Sequence, residues 1–164
     1  MSAFDKAFAL IIGHEGGYTP GKGDPGGETR YGVSKRSYPT EDIKNLTLDR
    51  AKEIYKRDFW DKIKGDDLPP SLALVCMDAA INSGPGQAAK WLQQALGVKA
   101  DGVIGPVTIR AVEAKNGAGL DLLVSLLVRR LFFMMALGIW GTFGKGWATR
   151  LFKLAMQAAA MREG

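Results

Sequence analysis

Apolar residues recur at helical spacing along most of the chain, and this pattern predicts a mainly α fold. The clearest stripe comes first: Phe4, Ala7, Phe8, Ile11 and Ile12 share one helix face. Ser2 and Asp5 have the spacing of a capping box at its start, and Gly16–Gly17 are expected to end it. Further helices are predicted over residues 48–59 (capped by Thr47), 71–81, 87–96, 108–114, 120–139 and 147–161.

One long segment breaks the helical pattern. Residues 18–32 are dense in glycine and proline, which predicts a loop that leads into a short hairpin at residues 31–34. We therefore expect a mainly α, α+β fold, in which a helical bundle has a small loop or β-hairpin lobe beside the first helix. A glycine-rich turn at residues 82–86 places a boundary between regions 1–88 and 89–164. Residues 143–147 are expected to form an exposed turn.

Charge and cysteine content narrow the function classes. The 164 residues have a formal net charge of +5, so a polyanionic partner is expected: nucleic acid, an anionic membrane or a cell wall. The basic residues are spread out, with Arg129-Arg130 the clearest pair, which argues against nucleic acid. The uncharged run 131–144 is shorter than the roughly 18 residues of a membrane span, so stable membrane insertion is not expected. Cys76 has apolar neighbours and is predicted to be a buried thiol. One histidine and one cysteine do not favour a zinc site, and no cofactor is expected.

Glu15 is the first candidate for chemistry. It continues the apolar stripe of the first helix and is followed at once by two glycines. Burial disfavours a charged carboxylate, and so does the negative end of a helix dipole; both effects raise a carboxyl pKa. A carboxylic acid that stays protonated near neutral pH is a suitable general acid. The alternative is an ordinary solvent-exposed glutamate at a helix end.

Asp24 and Thr29 are the next candidates for chemistry. Both lie on the glycine-rich loop, nine and fourteen residues after Glu15. An acid on a helix opposed by a carboxylate on a loop is the arrangement that cleaves a glycosidic bond. Taken singly, Asp24 is equally a turn residue and Thr29 a strand-edge hydroxyl.

The motifs together resemble those of a known family. His14-Glu15-Gly16-Gly17-Tyr18, followed by Asp24-Pro25-Gly26-Gly27, Thr29 and Gly32, is similar to the glycoside hydrolase family 108 muramidases, which are lysozyme-like enzymes common among phage endolysins. The likeness continues through residues 51–60 and 78–85. It implies that Glu15 is the general acid. The order Glu, Asp, Thr is also similar to phage-type lysozymes, which implies that Asp24 and Thr29 hold the attacking water. The Asp-to-Thr gap is one residue shorter here, and Glu28 is the next candidate if Asp24 lacks that role.

Four further residues are candidates for substrate binding. Tyr18 and Tyr31 flank the expected site, and aromatic faces stack well on sugar rings. Asp78 and Asn82 lie on one face of the helix predicted at 71–81. For Asp78 an internal hydrogen bond or ion pair is the favoured interpretation, and for the tyrosines a core position is the alternative.

A second motif lies in the C-terminal half. Residues 91–108 resemble the Leu-Gly-Val…Asp-Gly…Gly-Pro-x-Thr pattern of small helical peptidoglycan-binding modules, with Asp101-Gly102 as a tight turn and Thr108 at a helix start. The alternative is a helix connection without a binding role.

These observations predict a monomeric, cofactor-free peptidoglycan hydrolase. The resemblance implies that it cleaves the β-1,4 bond between N-acetylmuramic acid and N-acetylglucosamine in the glycan strands, and the positive net charge implies that added salt weakens its hold on the anionic wall. A lytic transglycosylase, a non-catalytic wall-binding protein and a membrane-disrupting protein are the alternatives. The N-terminus lacks the pattern of a signal peptide. Together with the family resemblance, this implies a phage endolysin that is made in the host cytoplasm and acts at the wall in the periplasm; a bacterial muramidase exported by a dedicated route is the other origin.

Overall fold

The computed structural model describes residues 1–13, 17–23, 25–115 and 119–162. Within this part of the chain there are seven α-helices and one two-stranded antiparallel hairpin, which confirms the mainly helical fold class. The chain forms two compact units, Met1–Asp58 and Phe59–Gly164. Each unit is described separately below.

Helix α1 spans Ala3–Ile11 and begins as predicted. The side-chain oxygen of Ser2 accepts a hydrogen bond from the backbone N–H of Asp5 at 3.0 Å, and the Asp5 carboxylate accepts one from the backbone N–H of Ser2 at 3.3 Å. This reciprocal pair satisfies two N–H groups that the helix itself leaves without partners. Phe4 and Phe8 are buried and form the core side of the helix.

The end of α1 differs from the prediction. The helix ends at Ile11, and Gly13 adopts a left-handed φ of +78°, the conformation expected for Gly16–Gly17. Glycine takes this conformation at no steric cost, so the first glycine after the apolar stripe ends the helix. Ile11 and Ile12 are half-buried. Glu15 therefore comes after α1 in the chain, and it lies outside the described residues.

The predicted hairpin is present. Strand β1 (Thr29–Arg30) pairs with strand β2 (Val33–Ser34), and both residues of the turn between them have positive φ, +50° for Tyr31 and +74° for Gly32. Two positive φ values define a type I′ turn, which matches the twist of a two-residue hairpin. A Cβ at Gly32 would lie 2.4 Å from the hydroxyl of Tyr55, so only glycine fits there.

Helix α2 (Leu48–Tyr55) completes the N-terminal unit. The side chain of Thr47 caps it by accepting a hydrogen bond from the backbone N–H of Arg50 at 3.1 Å, as predicted. Lys52 of α2 forms an ion pair with Asp5 of α1 at 2.7 Å. One turn of π-helix, Lys56–Trp60, follows α2.

The C-terminal unit is built around one buried helix. Its elements are a 3-10 turn (Gly65–Asp67), α3 (Pro70–Ser83), α4 (Pro85–Leu96), α5 (Pro106–Ala114), α6 (Leu120–Met135) and α7 (Trp140–Ala160). Every residue of α3 from 71 to 80 is buried, and α4, α6 and α7 pack against it. Cys76 is fully buried there, as predicted, and burial raises the pKa of its thiol to about 12.

Helix α7 begins earlier than predicted. It starts at Trp140, so residues 143–147 are helical and the exposed turn expected there is absent. Gly144 is buried inside this helix, where a Cβ would lie 2.6 Å from the ring of Trp140, and Phe143 stacks on Trp147 with ring centroids 5.9 Å apart. Gly144 thus allows the Trp140 ring to pack closely against the helix, whereas a Cβ at Gly141 or Gly146 would meet nothing within 4 Å. In the part of the chain described, no helix is both long and apolar enough to cross a membrane.

Candidate active site

The two carboxylates predicted to perform the chemistry, Glu15 and Asp24, lie outside the described residues. The described residues that come next to them in the chain are Gly13 and Gly17 for Glu15, and Gly23 and Pro25 for Asp24. Their catalytic roles therefore stay predictions.

The loop that contains Asp24 is closed at its base by backbone hydrogen bonds. The N–H of Thr19 donates to the carbonyl of Thr29 at 2.8 Å, and the N–H of Thr29 donates to the carbonyl of Thr19 at 2.9 Å. This isolated antiparallel bridge joins the loop to the outer edge of strand β1. A hairpin strand thus fixes both ends of the loop.

Two glycines allow this loop to be narrow. At Gly21, where φ is +70°, a Cβ would lie 2.1 Å from the backbone carbonyl carbon of Gly27. The two stretches of backbone therefore touch, and no other residue type fits between them. Gly23 also has a positive φ, +83°, but a Cβ there would meet nothing within 4 Å.

Thr29 belongs to strand β1 and is half-buried. Its hydroxyl donates a hydrogen bond to the carbonyl of Gly27 at 3.4 Å, while its backbone groups form the bridge with Thr19. The strand-edge position considered for Thr29 is thus present. A long hydrogen bond of this kind leaves the hydroxyl oxygen able to accept a second one.

Tyr18 and Glu28 form a side-chain pair that the sequence analysis missed. The Tyr18 hydroxyl donates to the Glu28 carboxylate at 2.7 Å, and this bond is the main reason that the pKa of Tyr18 lies above its ordinary value. No local pattern in the sequence signals this pair. Each residue directly precedes one partner of the Thr19–Thr29 bridge, so the bridge brings them together.

Tyr31 lies in the turn of the hairpin. Its strained φ of +50° is uncommon for a residue with a side chain, and the guanidinium of Arg30 lies 5.6 Å from its ring centroid. The N-terminal unit thus assembles Tyr18, Glu28 and Thr29 around one closed loop, with Tyr31 at the adjacent turn. Binding of sugar by Tyr18 and Tyr31 stays a prediction.

Asp78 and Asn82 lie together in the C-terminal unit. Asp78 is 2% exposed, and its carboxylate forms ion pairs with Arg130 at 2.8 Å and Arg150 at 2.6 Å. Asn82 donates to the backbone carbonyl of Asp78 at 2.7 Å. The internal ion pair favoured for Asp78 is therefore present, and contact with substrate by either residue stays a prediction.

The second sequence motif is organised by Gln93, a residue that the sequence analysis did not single out. Gln93 is 1% exposed, and its Nε2 lies within hydrogen-bond distance of Asp101 (2.8 Å), the carbonyl of Val103 (3.0 Å) and Thr108 (3.1 Å). Its Oε1 accepts from the N–H of Gly102 at 2.9 Å. One buried amide thus holds the turn against the start of α5.

The described residues contain no group of three or more His, Cys, Asp or Glu side chains that could hold a metal ion. The N-terminal unit places hydroxyl and carboxyl groups, those of Tyr18, Glu28 and Thr29, beside the closed loop. Such groups transfer protons and orient water.

Two family models match successive parts of the chain. The Glycosyl hydrolase 108 model matches residues 8–84, and the Predicted Peptidoglycan domain model matches residues 87–152. Among solved structures, SagA of Brucella abortus is similar, with 37% sequence identity and a TM-score of 0.82 over 96% of this chain and 94% of that one. The chain belongs to glycosyl hydrolase family 108. No match was found among curated proteins.

Membership confirms the resemblance drawn from the motifs. This family 108 hydrolase has a glycosyl hydrolase domain followed by a peptidoglycan-binding domain, a combination that implies hydrolysis of peptidoglycan. The hydrolase match includes the closed loop, the hairpin and α3. The peptidoglycan-domain match includes Gln93 and most of α4 to α7.

Proposed function

We propose that this family 108 hydrolase is an N-acetylmuramidase that cleaves the β-1,4 bond between N-acetylmuramic acid and N-acetylglucosamine. Glu15 is the general acid that protonates the leaving oxygen. The observation that supports this most is the family match over residues 8–84, which includes the His14-Glu15-Gly16-Gly17-Tyr18 motif. A protonated carboxyl beside the glycosidic oxygen is the minimum that hydrolysis of this bond requires.

Asp24 and Thr29 orient the attacking water in this proposal. The bridge between Thr19 and Thr29 and the backbone contact between Gly21 and Gly27 support it, because they hold together the described residues on the two sides of Asp24 in the chain. Restricting a catalytic group lowers the entropy cost of reaching the transition state. Glu28, held by Tyr18, is the alternative carboxylate for this role.

Product analysis tests the bond and the chemistry together. Purified sacculi are digested with the full chain, and the soluble fragments are reduced and identified by mass spectrometry. New reducing muramic acid ends are expected. Reducing glucosamine ends would show a glucosaminidase instead, and anhydromuramic ends would show a lytic transglycosylase. No solubilised glycan at all would leave a non-catalytic wall-binding protein.

Two matched pairs of variants test the residue assignments. Glu15→Gln keeps the size of the side chain and removes the proton, so turnover should fall by at least about 100-fold. Glu113→Gln makes the same change on the exposed face of α5 and should leave turnover unaltered. Asp24→Asn should also reduce turnover strongly. If Asp24→Asn is active and Glu28→Gln is not, the water is held by Glu28.

We propose the same cellular setting as the sequence analysis: an endolysin made inside the host that reaches the wall only when the inner membrane is opened. Expression in bacterial cytoplasm should leave cells intact, and permeabilising the inner membrane should then lyse them at once. The Glu15→Gln variant is the control, since lysis that persists with it would come from membrane damage rather than hydrolysis.

A further inference from the structure

The C-terminal unit contains a cavity whose wall is part cationic and part aromatic. Its volume is about 180 Å³, and its polar side is formed by the end of α3 and by Arg130 and Arg150. Phe133 and Trp147 contribute to the apolar side. The Gln93 network and the hairpin lobe lie elsewhere in the chain, so neither accounts for this cavity.

The charges beneath the cavity do not cancel. Asp78 is the only carboxylate paired with the two guanidinium groups among the described residues. Its Oδ2 accepts from Arg130 Nη2 at 2.8 Å, and its Oδ1 accepts from Arg150 Nε at 3.0 Å and Nη2 at 2.6 Å. Two cations share one anion, which leaves one positive charge in excess; Asp78 and Arg130 are buried, and Arg150 is the member that reaches solvent.

Arg130 has an unfilled hydrogen-bond position. Its side chain is 4% exposed, and its Nη1 has no hydrogen-bond partner among the described residues. A buried donor without an acceptor is uncommon in folded proteins and calls for an explanation. Arg150, by contrast, is 45% exposed at the side chain, so it offers an accessible guanidinium edge at the same cavity.

We propose that this cavity binds a free carboxylate of peptidoglycan, with Arg150 as the accessible partner and Arg130 as the buried cation behind it. The proposal rests on the proposed function for the class of substrate. Guanidinium groups bind carboxylates through paired, charge-assisted hydrogen bonds. The excess positive charge favours an anion, and the ring of Trp147 packs against the aliphatic part or sugar that bears it.

Peptidoglycan presents such a carboxylate at several positions, and the test compares two of them. One is the lactyl group of muramic acid in strands without a stem peptide, and the other is the acidic residue of the stem peptide. The cavity has room for a group of about this size, but not for a whole disaccharide with its peptide. Binding would therefore anchor one acidic group while the glycan lies outside.

The test measures binding by the full-length Glu15→Gln chain, so that the probes are not consumed. The probes are the GlcNAc–MurNAc disaccharide with its lactyl carboxylate free, a disaccharide with a stem dipeptide that ends in a free acidic residue, and the same compound with every carboxylate amidated. Titration calorimetry gives the dissociation constants. Nitrogen-15 spectra report whether the indole N–H of Trp147 shifts.

Arg150→Gln should weaken binding of the acidic probe at least about tenfold, which corresponds to about 1.4 kcal/mol. Lys153→Gln removes the same charge from an exposed position of α7 and should bind as before. The first two probes show which carboxylate is used. The proposal would be overturned if Arg150→Gln bound the acidic probe as tightly as Lys153→Gln does, or if the amidated probe bound as tightly as the acidic one.

A second variant tests the cavity without changing its charges. Leu137 lines the cavity and is 37% exposed, so Leu137→Trp should fill the space with little effect on the fold. It should abolish the shift of Trp147 on addition of the acidic probe. Retained binding by a folded Leu137→Trp chain would contradict the proposal. The proposed hydrolysis is tested by a separate experiment, the analysis of the products that the wild-type chain releases from sacculi, so failure of one proposal can be told from failure of the other.

Discussion

Asp78 links three helices of the C-terminal unit through a single side chain. It belongs to α3 and binds a guanidinium from each of α6 and α7, so three helices meet at a single buried carboxylate. A buried ion pair contributes little net stability compared with apolar packing, but loss of one member leaves the other charged and unpaired. The cost of losing Asp78 therefore comes mainly from Arg130, which is 3% exposed.

Asp78→Asn should accordingly destabilise the chain by about 3–5 kcal/mol, the range for breaking a buried pair. Denaturant unfolding measures the change, and Asp67→Asn at an exposed position is the control, with an expected change near zero. Adding Arg130→Met to Asp78→Asn should recover part of the loss, because the unpaired cation is then gone. If the double variant is less stable than Asp78→Asn, the penalty has another origin.

Among the elements, α1 is stabilised by a group whose protonation can be followed. The Lys52 ammonium and the Ser2 hydroxyl lower the pKa of Asp5 from 3.8 to about 2. Because the folded-state pKa is the lower one, the ionised Asp5 stabilises the fold fully above the unfolded-state pKa. This contribution is lost as the pH falls from about 4 to about 2.

Asp5→Asn tests this linkage. The variant should be less stable than wild type near neutral pH, and the difference should shrink as the pH falls from about 4 and disappear only below about pH 2. Urea midpoints across this range give the two curves. Asp49→Asn, in the first turn of α2, is the comparison, and parallel curves for wild type and Asp5→Asn would show that the capping box and the ion pair do not act through this charge.

The closed loop of the N-terminal unit offers a prediction about how an element positions chemistry. Gly21→Ala and Gly23→Ala both place a side chain at positive φ, so they share the backbone strain of about 1–2 kcal/mol. Only Gly21→Ala also forces a Cβ against the backbone of Gly27. On purified sacculi, Gly21→Ala should be at least about tenfold slower than Gly23→Ala, because a displaced loop misplaces the groups on it. Equal rates would mean that the narrow loop is not needed for catalysis.

The elements also show which features a sequence can predict. The caps at Ser2 and Thr47 were predictable because each depends on residues within one helical turn. The start of α7 was not, because Gly141, Gly144 and Gly146 lie in its first two turns, and glycine usually signals a turn rather than a helix. Pairs such as Tyr18–Glu28 depend on a bridge between distant backbone segments, and Gln93 acquires its role from a turn eight to fifteen residues away. Local signals therefore gave the helices and the candidate loop, while tertiary contacts gave the polar networks.

At the scale of the molecule, the two family matches do not correspond to two cores. Helix α3 falls within the hydrolase match, yet it packs against α4, α6 and α7, which belong wholly or mostly to the peptidoglycan-domain match. The two compact units divide near residue 58, well before the boundary at residues 88 and 89 expected from the sequence. That boundary stays a prediction about which residues perform which function. It does not separate two cores, because α3 and the helices after residue 84 pack into the same one.

A fragment of residues 1–88 tests this sharing. It keeps α3 but lacks α6, α7 and all of α4 beyond its first four residues, so ten consecutive buried residues would lose most of their packing partners. Cys76 is the reporter, since it is the only cysteine and lies in the middle of this segment. In the whole chain, burial keeps the thiol protonated and inaccessible, and it should react very slowly with a thiol reagent at mildly alkaline pH. In the fragment it should react at once, and addition of the separate 89–164 fragment should restore protection to the extent that the two pieces reassemble. Slow reaction in the isolated fragment would show that the hydrolase region completes its own core and that burial of α3 does not depend on the helices that follow it.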